Sequence, residues 1–167
     1  MPRKLLKIDS PELFMINFSG RPTDNNPQGH RQFSMVIPSE EMAEDMKADG
    51  WSVWYTKESD KYGGPKPCIT VEMRFHHEKD LEYLNPKIYR CTRKKPEGVL
   101  LTEDLVSDLD RDEIEDTILW INPSRWNVNG KTGIKAYVDS LWVKVEDSDP
   151  TTKFWGYPDE EELHFEE

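Results

Sequence analysis

The dipeptide Asn129-Gly130 constrains this chain more than any other feature. Asn-Gly is the strongest short hairpin signal, because both residues tolerate the positive φ that a two-residue turn needs. It lies in RWNVNGKTG (125–133), between TILWIN (117–122) and IKAYVDSLWVKV (134–145), both rich in β-formers. The spacing predicts a terminal hairpin whose first arm stops at Pro123. In the second arm Lys135, Tyr137 and Asp139 alternate with Ile134, Ala136 and Val138, giving one polar and one apolar face.

The rest of the chain also reads as short apolar segments between dense turn signals. ELFMINF (12–18), QFSMVI (32–37), WSVWYTK (51–57), CITVEMRF (68–75) and KIYRCT (87–92) read as strands. In CITVEMRF, Ile69, Val71, Met73 and Phe75 point one way while Thr70, Glu72 and Arg74 point the other. RPTDNNPQGH (21–30), ESDKYGGPKP (58–67), HHEKDLEYLNP (76–86) and RKKPEG (93–98) are connections. SEEMAEDMKADG (39–50) is a short helix capped by Ser39 and ended by Gly50, with Met42, Ala43 and Met46 as its apolar face. Residues 100–116 allow one or two helical turns with Leu101, Leu105, Val106 and Leu109 as the buried side. Roughly seven short strands with one or two small helices predict a mainly β sandwich or small barrel.

The 167 residues fit one domain, and 18 aromatics exclude a wholly disordered chain. No apolar run reaches the ~20 residues of a membrane span, and MPRKLLKIDS lacks the apolar stretch of a signal peptide. A cytoplasmic protein without a membrane partner is therefore expected. With 33 acids against 22 Lys plus Arg, the net charge is −11, which at face value argues against nucleic acid. Its distribution reverses that reading. Residues 146–167 hold nine acids and one base (−8), and residues 103–116 hold eight acids and one base (−7). The remainder carries 16 acids and 20 bases (+4). Residues 1–150 are thus expected to form the domain and 151–167 an acidic, disordered tail.

Catalytic chemistry finds no foothold. DLDRDE (108–113) resembles the start of a calcium loop, but Glu113 and Leu119 stand where Gly and Glu are needed. Adjacent His76 and His77 would point to opposite faces of a strand. Cys68 and Cys91 are too few for a four-ligand zinc site or a disulfide framework and suit small buried thiols. There is no G-x-S-x-G elbow, P-loop or dinucleotide fingerprint. No catalytic residue, metal or cofactor is expected.

A basic and aromatic surface is the positive signal. Bases cluster at Lys87, Arg90, Arg93, Lys94, Lys95 and at Arg125, Lys131, Lys135, interleaved with Tyr89, Trp120, Trp126, Tyr137 and Trp142. Cations neutralise phosphates with counterion release, and flat rings stack on bases without regard to sequence. Trp120 and Trp142 lie mid-strand among apolar residues and read as core. Trp126, in a polar hairpin, and Tyr137, beside Lys135 on a polar face, are better stacking platforms.

KIYRCTRKKPEG, an acidic connection, then ILWINPSRWNVNGKTGIKAYVDSLWVKV together resemble phage-encoded single-stranded-DNA-binding proteins of the OB-fold type. INFSGRPTDNNPQGHRQFSMVI and the short helix ending in DGW resemble the N-terminal half of that family. The resemblance covers most of residues 12–145, and NVNGKTGIKAY is its most specific piece. It implies an OB-fold-like small antiparallel barrel with a groove for single strands, followed by an acidic tail that recruits replication and recombination proteins. Here Phe165 is followed by Glu166 and Glu167 instead of ending the chain, so an electrostatic role carries over but a terminal-Phe carboxylate does not.

The expected function is sequence-tolerant binding of single-stranded DNA in phage replication or recombination, by a monomer or small homo-oligomer in the host cytoplasm. Arg74, Lys87, Arg90, Arg93, Lys94, Lys95, Lys131 and Lys135 are the expected phosphate contacts. Tyr89, Trp126 and Tyr137 are the expected base stackers. Asp159, Glu160, Glu161, Glu162, Phe165, Glu166 and Glu167 are the expected partner-binding tail. The alternative is an acidic protein that inhibits a host enzyme by mimicking DNA; the basic RCTRKK turn speaks against it.

Overall fold

The Asn129-Gly130 turn joins the two longest strands of the molecule. Asn129 (φ 53°) and Gly130 (φ 79°) both take positive φ, and the strands on either side pair antiparallel from Val128↔Lys131 outward. The structure, a computed structural model, describes residues 5–24, 26–57 and 64–146. The expected tail and most of the expected 58–67 loop lie outside these residues.

The strands are β1 (Leu6–Asp9), β2 (Leu13–Asn17), β3 (Gln32–Val36), β4 (Trp54–Tyr55), β5 (Pro67–Glu72), β6 (Lys87–Cys91), β7 (Val99–Leu101), β8 (Ile114–Val128) and β9 (Lys131–Val145). Among the described residues, two α-helices, α1 (Glu40–Asp49) and α2 (Glu103–Val106), and two 3-10 turns, Lys79–Leu84 and Ser107–Arg111, accompany the strands. One sheet runs β1-β8-β9-β5-β3-β2, with β4 on β5 and the β6–β7 pair on β9. The expected mainly β, OB-like architecture is present. The sheet does not close on itself among the described residues, and β9 pairs parallel with both β5 and β6.

Alternation sets the core. In β5, Ile69, Val71 and Met73 just beyond it are buried, while Thr70 and Arg74 are exposed. In β9, Ile134, Ala136 and Val138 are buried, and then the phase shifts to Leu141, Val143 and Val145. The cause is a bulge: Trp120 opposes Ser140 and Ile121 opposes Val138, so Asp139 has no partner. Phe18, Phe33, Met35, Ile88, Leu119 and Leu141 fill the same core. Helix α1 forms as its caps dictate: Ser39 Oγ accepts from Met42 N–H at 3.1 Å, and Gly50 N–H donates to the Met46 and Lys47 carbonyls.

Several expectations are corrected. Pro123 does not stop its strand; β8 runs through it to Val128. β1 pairs only with Ile118–Ile121, so beyond that point β8 has β9 as its only partner among the described residues. A proline without N–H is tolerated on such an edge. The 51–57 strand shrinks to Trp54–Tyr55. Leu105 faces solvent, whereas Val106 and Leu109 are buried as expected. The strand β1 was not anticipated.

Candidate nucleic-acid interface

The outward face of β8 and β9 carries one continuous row of polar and aromatic side chains. The register places Asn122 beside Tyr137, Ser124 beside Lys135, and Trp126 beside Gly133. On the other flank of β9, Glu72 of β5 lies beside Tyr137. Trp126 remains 40% exposed, and its indole rests directly on the Gly133 backbone. A methyl group at Gly133 would fall 2.5 Å from Trp126 Cζ2. Only glycine leaves room for the ring in this seat. Gly133→Ala is therefore expected to displace the Trp126 indole. The checking measurement is the Trp emission spectrum beside the far-UV circular dichroism, with the first changed and the second unchanged.

Lys135 and Tyr137 form a coupled pair. Lys135 Nζ lies 5.4 Å from the Tyr137 ring centroid and 3.3 Å from Glu72 Oε2. Glu72 Oε1 meets His30 Nδ1 at 3.1 Å. The Glu72 side chain is almost fully buried, so it fixes Lys135 at the foot of the Tyr137 ring. Next to Tyr137, a groove of about 390 Å³ is lined by Arg74, Tyr83, Asn122 and Arg125. Arg74 is exposed and has no ion-pair partner among the described residues.

The second group of expected residues lies further along the same strand. Lys87, Tyr89 and Cys91 of β6 run beside Ser140, Trp142 and Lys144 of β9. Tyr89 stacks on Trp142 with ring centroids 4.8 Å apart and planes 14° from parallel. Ile118, Trp142, Tyr89 and Leu100 form a cross-strand row over β8, β9, β6 and β7. Trp120 lies under the Lys7 ammonium, 5.6 Å from its ring centroid. Trp120 and Trp142 are thus not core: both are half-exposed on the outward face. Trp54 is a further half-exposed indole that sequence reasoning did not single out as a site residue.

The expected cations differ in availability. Arg74, Lys87, Lys95 and Lys131 are exposed and carry no ion pair among the described residues. Arg93 and Lys94 are exposed in the turn after β6, where Lys95 N–H donates to Thr92 Oγ1 at 3.1 Å, and both have contacts of their own. Arg90 is held bidentately by Asp112, at 2.9 and 3.2 Å. The pair ties β6 to the segment just before β8.

Much of the acidic 103–116 block is committed internally. Asp110 accepts the Phe18 and Ser19 N–H groups at 2.8 and 3.0 Å. Asp112 holds Arg90, Glu103 meets His77 and Arg31, and Glu115 pairs with Lys144. Among the described residues no cluster of three or more His, Cys, Asp or Glu is positioned for a metal ion. Burial raises the thiol pKa of both Cys68 and Cys91, which keeps them protonated and unreactive. No helix among the described residues is long and apolar enough to cross a membrane.

The sequence matches the phage ssDNA-binding domain family over residues 1–165. The chain belongs to that family. No curated protein matches the chain by sequence. Among solved structures, the single-stranded DNA-binding protein from bacteriophage Enc34 in complex with ssDNA is 9% identical with a TM-score of 0.51, covering 86% of this chain and 88% of that one. The same phage's protein in another structure is 7% identical with a TM-score of 0.51, covering 92% and 90%. The bacteriophage T7 single-stranded DNA-binding protein gp2.5 is 12% identical with a TM-score of 0.41, covering 89% and 96%. At such identities the Enc34 likeness speaks to fold, and it agrees with the open OB-like sheet of this phage-family domain.

Proposed function

We propose that this protein binds single-stranded DNA with little sequence preference, along the outward face of β8, β9 and β6. The observation that carries the reading is the coincidence, on one sheet face, of exposed aromatic rings with cations lacking internal partners. Trp126 and Tyr137 stack bases at one end, and the Tyr89–Trp142 pair offers a second platform. Arg74, Lys87, Lys95 and Lys131 neutralise phosphates, with Arg93, Lys94 and Lys135 beside them. Arg90, held by Asp112, serves the site by positioning β6. Family membership supports the reading, as does the Enc34 protein of similar fold, which was solved with ssDNA.

The protein acts in phage DNA replication or recombination, in the host cytoplasm and without catalysis. Its acidic tail competes with DNA for the basic face and recruits replication and recombination proteins. Deleting residues 158–167 is expected to tighten binding at low salt; unchanged or weaker binding would count against the tail's role. The DNA-mimic alternative is disfavoured by the acids committed to Arg90, Arg31, Lys144 and the Phe18–Ser19 backbone.

The deciding test is a titration of Trp fluorescence with oligothymidine and with duplex at several salt concentrations. Quenching by the single strand is expected. Four phosphate contacts predict a log–log salt slope of about −3, from roughly −0.7 per contact. No quenching, or affinity insensitive to salt, would refute the reading.

A further inference from the structure

Beside the stacking row, sharing Trp126 and Lys135 with it, lies a concave site whose far wall the proposed track does not use. It is a cleft of about 270 Å³, smaller than the ~300–1,000 Å³ of pockets for drug-sized ligands. Trp51, Trp54 and Trp126 line it, with Gln32, Glu72 and Lys135 supplying polar groups. These residues come from β3, β4, β5, β8, β9 and the segment after α1, so the cleft is a product of the tertiary fold.

The Trp54 wall is held rigidly. Its Nε1–H donates to Thr70 Oγ1 at 3.2 Å, and Phe14 meets its ring edge-on at 5.7 Å. The next residue, Tyr55, is tied to α1: its ring lies under the Lys47 ammonium, 4.5 Å from the centroid, and its hydroxyl accepts a hydrogen bond from Lys47. The Trp126 wall is seated on Gly133. A site with indole walls fixed before binding pays little ordering entropy when a flat ring enters.

We propose that this cleft takes a single nucleobase, turned out of the bound strand and stacked on the Trp54 and Trp126 indoles. The proposal rests on the single-strand reading above. Flat heterocycles are the ligands that indole walls favour, and enzymes that extrude bases hold them in this way, by aromatic stacking plus contacts to the base edge. Lys135 is a donor, Glu72 an acceptor, and the Gln32 amide is both. Every base presents both donors and acceptors on its pairing edge, so such a wall accepts any of them. Lys135 and Glu72 also border Tyr137, so the cleft opens directly off the stacking row.

The test uses full-length protein and oligothymidine carrying 5-iodouracil, with binding followed by anisotropy and photoadducts located by peptide mass spectrometry. An adduct at Trp54 is expected, because only the cleft brings a base to that ring. Adducts confined to Trp126, Tyr137, Tyr89 or Trp142 would overturn the cleft while leaving single-strand binding intact. Absence of binding would overturn both. Trp54→Ala is expected to weaken binding about 5- to 150-fold, with Trp54→Phe restoring most of it. Because Trp54→Ala removes part of an edge packing contact, Ser52→Leu provides an independent variant. Ser52 lines the cleft and is exposed, so this change narrows the cleft without entering the core or breaking the Trp54–Thr70 hydrogen bond. Loss of the Trp54 adduct with unchanged melting temperature is expected; full retention of the adduct would refute the cleft as the site.

Discussion

A protein carrying both Trp126→Ala and Tyr137→Ala is expected to lose roughly 2–6 kcal/mol of affinity for oligothymidine, because each stacked base contributes about 1–3 kcal/mol. The two losses add. Trp126 lies beside Gly133 and Tyr137 is four residues further along β9, which at about 3.4 Å per residue separates them by roughly 13 Å. Sites that far apart are independent when they share no partner. The rings do not touch phosphate, so the salt slope remains that of the wild type. Lys87→Ala with Lys95→Ala gives the opposite pattern, flattening the slope by about 0.7 per residue at every sequence. Isothermal or fluorescence titration across salt concentrations separates the patterns. A double aromatic variant that binds within threefold of wild type, while remaining folded, would remove the stacking row from the mechanism.

The outward placement of those two rings was legible in the sequence, and the reasons are local. Trp126 sits in a polar hairpin next to an Asn-Gly turn, and Tyr137 alternates with buried Ile134, Ala136 and Val138. The same counting misplaces Trp142. Carried on from Ile134, the even positions would point inward and take Trp142 with them. The Asp139 bulge shifts the phase, so Leu141 and Val143 turn inward and Trp142 turns out. A bulge leaves no signal in a single strand's composition. Trp120 is misplaced for another reason: its neighbours Leu119 and Ile121 are buried, and an apolar run hides the alternation. Pro123 misled because its tolerance depends on where β1 stops, a fact of pairing and not of the strand itself. Strand β1 is four residues with only Leu6 and Ile8 alternating against Lys7 and Asp9, too short to stand out. Helix α1 was legible because Ser39 and Gly50 mark both of its ends. The Trp54 cleft was not, because its residues come from segments distant in sequence and meet only through strand pairing.

The acidic block shows the same limit, and it makes the sharpest stability prediction. As a run of charges, residues 103–116 look like a solvated face or a display of negative charge. In the fold, Asp110 is nearly buried and accepts two backbone N–H groups from Phe18 and Ser19, at 2.8 and 3.0 Å, with Arg21 3.5 Å away. Phe18 is fully buried, and the following turn is organised by Asn17, which accepts from the Gly20 and Arg21 N–H groups. Asp110→Ala leaves two donors without their acceptor where water has little access. That is expected to cost about 2–6 kcal/mol, from roughly 1–3 kcal/mol per stranded donor. At about 2–4 °C per kcal/mol for a protein of this size, the melting temperature falls by roughly 4–24 °C. Asp104→Ala and Asp108→Ala, at exposed positions of the same block, are expected to change stability by less than about 0.5 kcal/mol. Urea unfolding with an unchanged m-value would assign the difference to the native state. Equal effects at all three positions would mean that Asp110 is one more surface charge, and would reopen the reading of the block as a mimic of DNA.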